Sequence, residues 1–158
     1  MQPDSYTVTR TVNIAATAEQ IFPLINDFRK WDNWSPWAKL DPKMVATHSG
    51  PPTGPGASYH WIGNEDVGEG RMTITGSDPS SKVVVDLNFI KPFESNAVCT
   101  FQLSPVASGG GTNVSWSMSG KSNFMSKAMM LFASMDSMIG SDFEKGLRQM
   151  KTLAESAR

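Results

Sequence analysis

The chain has 158 residues, 14 Lys and Arg against 15 Asp and Glu for a net charge of −1, two histidines and one cysteine. That length suits one domain, 1–158, with enough chain to bury a sizeable core. Basic residues such as Lys39, Lys43, Arg71, Lys82 and Lys91 are scattered among acids, which argues against a nucleic-acid partner, and a lone cysteine allows neither an internal disulfide nor a thiolate metal site.

The opening run, Met1-Gln2-Pro3-Asp4-Ser5, has no basic segment followed by an apolar one, so a cytoplasmic location is the expectation. A first strand is predicted from about Tyr6 to Ile14, with Tyr6, Val8, Val12 and Ile14 on one face and threonines on the other. Thr17 then caps a short helix, with Gln20 completing a capping box and Ile21, Phe22, Leu24 and Ile25 forming its apolar stripe. A second short helix is predicted from Phe28 to Trp34, stopped by Ser35-Pro36 because the residue before proline disfavours helical backbone.

From about residue 43 the pattern becomes an antiparallel meander. The breaker-rich runs Pro51-Pro52-Thr53-Gly54-Pro55-Gly56 and Ser108-Gly109-Gly110-Gly111-Thr112 serve as hairpin connections. A hairpin over Gly63 to Asp66 would pair Ile62 with Val67, setting Trp61 opposite Gly68 and Tyr59 opposite Gly70, large rings filling the space glycines leave. The same parity sends Met72 and Ile74 to that face. After a turn at Asp78-Pro79-Ser80 it adds Val83, Val85, Leu87 and Phe89, then Ala97, Cys99, Phe101 and Leu103, then Val114, Trp116 and Met118. Buried there, Cys99 acts as a small hydrophobe.

The last element is predicted helical from about Asn123 to Ala157, with Phe124, Ala128, Leu131, Met135, Phe143, Leu147 and Met150 at three- and four-residue steps and a bend at Gly140. Its apolar half is shorter than the ~20 residues a bilayer requires and carries Lys127 and Asp136, so no integral membrane association is expected.

Arg10 to Ile14 followed by Ala18 to Phe22, Trp31 with Trp34-Ser35-Pro36-Trp37, Gly68-Glu69-Gly70 after Trp61, and Gly111 to Trp116 with Gly120 carry a resemblance over almost the whole chain. The sequence resembles the START-like (SRPBCC) superfamily in its bacterial polyketide cyclase/dehydrase-like branch. The resemblance implies an α+β helix-grip fold: a curved antiparallel seven-stranded sheet wrapped around a long C-terminal helix, with two short helices after the first strand. It also implies a cavity between sheet and helix that takes a small apolar molecule such as a lipid, polyketide or aromatic. Binding or transport is the first expectation, with a cyclase/aromatase-like enzyme and a chaperone-activator type of interaction module as alternatives.

The expected ligand-binding residues are Trp34, Trp37, Tyr59, Trp61, Met72, Leu87, Phe89, Phe101, Trp116, Met118, Phe124, Met125, Met129, Phe132 and Met135. Methionines suit irregular ligands, yet such a stripe also simply packs a sheet. Trp31, Trp34 and Trp37 act either as a gate or as anchors for the short helices. Arg10 shares parity with Val8 and Val12 and is the candidate polar anchor: buried, it needs a carboxylate or a ligand's polar head, whereas at a frayed strand end it reaches water, the outcome favoured here. His60 opposite Glu69 and Arg71 opposite Asp86, with Asn88 beside Glu69, have the outward parity, where such pairs contribute about 0.2–1 kcal/mol. His48 is expected at a strand end without a partner. No phosphate loop, metal-ligand spacing or nucleophile elbow is present, so no catalytic residue and no cofactor is expected.

Overall fold

A computed structural model describes residues 5–35, 43–63, 68–91, 95–106, 111–121 and 125–156; within these the side chains of residues 5–6, 91, 95 and 121–139 are left aside. Apolar alternation in β1, Ser5–Ile14, buries Val8 and Ile14 completely. Helix α1, Ala18–Asn26, starts as predicted: the Thr17 hydroxyl accepts the Gln20 N–H at 3.2 Å while the Gln20 side chain accepts the Thr17 N–H at 3.0 Å. The second short helix, Phe28–Asn33, is 3₁₀ rather than α, capped by the Asp27 carboxylate on the Arg29 N–H.

Six further strands follow: β2 Val45–Ser49, β3 Ser58–Ile62, β4 Glu69–Asp78, β5 Lys82–Lys91, β6 Ser95–Pro105 and β7 Thr112–Lys121. They form one antiparallel sheet in the order β1-β7-β6-β5-β4-β3-β2, and the long helix α2, Met125–Ser156, ends the described chain. The curved seven-stranded sheet with its C-terminal helix is the helix-grip arrangement. None of the helices is long and apolar enough to cross a membrane among the described residues.

The registers correct two expectations. Trp61 lies opposite Gly70, not Gly68, and Tyr59 opposite Met72. The hairpin closes through the Gly63 N–H on the Gly68 carbonyl at 2.9 Å, with Gly68 in left-handed backbone at φ 63°; residues 64–67 lie outside the described residues. The connection is thus two residues longer than supposed. Arg71 faces Asn88, and Asp86 faces Thr73. Here the turn bond from the Ser81 N–H to the Asp78 carbonyl sets one register, and a bulge between Ile74 and Gly76 shifts it by one. Without that shift Ile74 would sit opposite Asp86, an inward residue against an outward one. Both corrections amount to two residues, so up to the bulge every side chain keeps its face, while beyond it Ser77 stands opposite the inward Val83. Ile74, Val83, Val85, Phe101 and Val114 are fully buried, and Leu87, Ala97, Cys99, Leu103, Trp116 and Met118 nearly so.

The second half of α2 is pinned to β1. Glu155 accepts the Ala15 N–H at 2.8 Å and the Lys151 ammonium at 2.7 Å, and Lys151 also donates to the Asn13 carbonyl at 2.9 Å. Phe143, Leu147, Met150 and Ala154 are the buried stripe. Gly140 marks no break in α2; its bare Cα is where the Arg10 guanidinium rests, so close that a Cβ would lie 2.5 Å from the Arg10 Cζ.

Candidate functional site

The inward face divides into a sealed end and an open end. At the sealed end Phe101, Trp116 and Phe143 stack in series, with centroids 4.9 and 3.9 Å apart and planes within 26° and 10°. Trp31 and Trp34 strike Phe101 and Trp116 edge-on, at centroid distances from 5.5 to 6.3 Å. Such edge-to-face contacts fill volume without leaving gaps. Trp34 and Phe101 expose nothing and Trp116 1 %, so no water-sized space adjoins them.

Trp34, Phe101 and Trp116, expected as ligand-binding residues, are thus buried against one another and Phe143 in this structure. The two tryptophans anchor the short helices. The Trp34 indole N–H donates to the Leu24 carbonyl and that of Trp31 to the Ile25 carbonyl, both at 2.8 Å. With the Gly54 N–H on Asn26 at 3.2 Å, they satisfy three carbonyls that the end of α1 leaves without helical partners.

The open end is formed by β3, β4 and β5. Tyr59 and Trp61 each keep 9 % of their surface, and Met72 and Phe89, on the same face, are only partly buried. Trp61 lies over Gly70, where a Cβ would come within 2.5 Å of the ring's Cζ2, and its edge meets Phe89 at 6.4 Å. Tyr59 tilts against Trp61 and Phe28, both at 6.1 Å. Burial, with a smaller contribution from the charge of Asp32, pushes the Tyr59 hydroxyl up to about 12, so it stays protonated at neutral pH. Leu87 opposes Met72 and completes this wall. Met118, 3 % exposed, lies between the two ends. Trp37 and Phe124 lie outside the described residues. Met125, Met129, Phe132 and Met135 stand in the first half of α2, whose backbone alone is described.

Two residues at this end were not among the expected ligand-binding residues. Phe28 packs on Trp31 at 5.3 Å, the three-residue spacing of its 3₁₀ turn. His48, expected without a partner, sets its ring edge against Tyr59 at 5.1 Å from β2. Both border a surface groove of about 180 Å³, lined also by Arg29, Pro51, Pro52 and Ala57.

The charged groups lie elsewhere. Arg10 is not simply exposed: its Nε is 3.6 Å from Glu144 Oε1, and its NH1 donates to the Thr9 carbonyl at 2.8 Å. The Arg29 guanidinium holds Asp27 through two bonds of 3.0 Å, which keeps that carboxyl below its ordinary range. His60 Nε2 meets Glu69 Oε2 at 2.9 Å on the outer face, a diagonal pair given the corrected register. Burial raises the Cys99 thiol to about 12, against a smaller opposing effect of the Trp116 indole N–H. Among the described residues no group of three or more His, Cys, Asp or Glu could hold a metal.

The family model for polyketide cyclase/dehydrase and lipid transport proteins matches residues 5–155. No curated protein matches the sequence. Among solved structures, a solution structure from Thermobifida fusca is 23% identical with a TM-score of 0.70, covering 94% of this chain and 92% of that one. The Aha1 dimer of Colwellia psychrerythraea is 17% identical at a TM-score of 0.63, covering 94% and 96%. DynU16, a protein of the dynemicin biosynthetic locus, is 13% identical at 0.67, covering 99% of this chain and 49% of that one. At these identities the structural likeness shows a common fold.

Proposed function

The chain belongs to the polyketide cyclase/dehydrase and lipid transport family, and from this we propose that it binds a small hydrophobic molecule against the open end of its sheet. One observation carries the reading: the inward face is sealed from Phe101 to Phe143, yet Met72 and Phe89 are only partly buried and Tyr59 and Trp61 beside them keep 9 % of their surface. Uncovered aromatic and thioether surface on a concave wall favours an apolar guest. A two-ring ligand losing ~200 Å² of surface there gains ~5 kcal/mol, which sets Kd on the order of 0.1 mM.

Native mass spectrometry against fatty acids, two-ring aromatics and flat polycyclic ketones tests this. A saturable one-to-one complex that Met72→Trp abolishes, while leaving the thermal midpoint intact, is the expected result. No complex with any class, or one indifferent to Met72→Trp, refutes it.

A cyclase using the same wall is favoured by one feature: Tyr59, an ionisable group on this face, is held protonated and so suits hydrogen-bond donation to a ligand carbonyl. Its test is turnover of a poly-keto substrate by the wild type and by Tyr59→Phe; equal rates defeat it.

A further inference from the structure

The open wall has a second property, which rests on the binding reading above: among the described residues its inward side chains are uncharged, while its own strands carry charge on their other side. We propose that the site selects uncharged aromatic molecules and rejects their anionic analogues.

Alternation within Ser58–Ile62, Gly70–Ile74 and Val83–Phe89, the stretches between the β4–β5 irregularities, places Tyr59, Trp61, Met72, Leu87 and Phe89 inward. The ionisable residues of these stretches, His60, Arg71 and Asp86, have the opposite parity; beyond the irregularities Glu69 pairs with Lys91 and Asp78 with Lys82. His60 meets Glu69 at 2.9 Å and Asp86 accepts from Asn88 at 3.4 Å. Among the described residues, Arg29 and Arg10 are engaged elsewhere. Arg29 is held in a two-bond fork by Asp27. Arg10 lies on β1, four strands away from β4 in the sheet order, and is seated on Gly140 beside Glu144.

An anion on this wall therefore loses its water and meets no cation among the described residues, which is the costliest way to bury a charge. The ring geometry supplies the other half of the preference. Trp61 presents its edge to Phe89 at 86° and tilts against Tyr59 at 31°, so ring faces and edges are both available to a planar guest. Tyr59, protonated at neutral pH, adds a neutral hydroxyl and no charge.

N-Phenyl-1-naphthylamine and 8-anilino-1-naphthalenesulfonate share one ring skeleton and differ by a single sulfonate. Fluorescence titration of the full chain with each is expected to give at least tenfold tighter binding of the neutral dye. Met72→Lys, a change at a half-buried position whose folding a thermal melt verifies, is expected to shrink that gap below threefold by tightening the sulfonate. Equal binding of the two dyes by the wild type overturns charge selection and leaves the cavity standing, as does a gap that Met72→Lys does not narrow. Binding of neither dye overturns the cavity itself.

Discussion

Gly70→Ala puts the packing of the proposed wall to the test at a single methyl group. The new Cβ would fall 2.5 Å from Trp61 Cζ2 and 3.0 Å from the Asn88 carbonyl oxygen, whereas comfortable carbon contacts are ~3.5–4.0 Å. The carbonyl belongs to the β4–β5 ladder and cannot yield, so the indole must retreat by ~1 Å against Tyr59 and Phe89. Overpacking of this kind costs ~1–3 kcal/mol. Removing a strand glycine returns ~0.5–1 kcal/mol, chiefly through the unfolded chain. The net loss is then ~1–2 kcal/mol, a drop of ~2–8 °C for a chain of this size. Urea unfolding followed by circular dichroism measures it. In a Trp61→Ala background the clash has no partner, and the same substitution should be neutral or stabilising. A Gly70→Ala protein as stable as the wild type, or one equally destabilised in both backgrounds, would refute the claim that Trp61 lies over a bare backbone.

Three further outcomes follow from the same geometry. Phe143→Ala removes one ring of the buried stack and should cost ~3–5 kcal/mol in denaturant unfolding; a loss below ~1 kcal/mol would mean the sealed end is not sealed. Gly140→Ala sets a helix-propensity gain of ~1 kcal/mol against displacement of the flexible Arg10 head and its partly exposed Glu144 pair. The single change should therefore be near neutral, and the full gain should appear only in an Arg10→Ala background, as a double-mutant cycle in urea would read. Finally, Tyr59 and Cys99 both have folded pKa values of about 12, raised by burial from ordinary values near 10 and 9. Their contribution is complete below those ordinary values and is lost as pH rises toward 12. Stability should fall between pH 9 and 12 by less in the Tyr59→Phe, Cys99→Ala double variant than in the wild type; parallel curves would exclude both groups as the cause.

Much of this protein is local and so was legible in its sequence. The Thr17–Gln20 capping box needs only four residues, and the Phe143–Leu147–Met150 stripe only the helical repeat. The face each strand side chain takes depends on a period of two, which is why Trp61, Leu87 and Trp116 all turned inward as expected even though two hairpin registers differed by two residues. The partners across each hairpin were not local. Whether Trp61 meets Gly68 or Gly70 depends on the length of the connection, and whether Arg71 meets Asp86 or Asn88 depends on a bulge that alternation does not signal.

The candidate site shows the same division more sharply. Composition and parity placed its aromatic residues on one face, but only the folded arrangement separates Trp34, Phe101 and Trp116, which touch one another and Phe143, from Tyr59, Trp61, Met72 and Phe89, which keep surface to spare. Arg10 likewise found its place only when Gly140, distant in sequence, left room for it. A side chain's direction is set by its own backbone, whereas the space in front of it is set by residues the chain brings from far away.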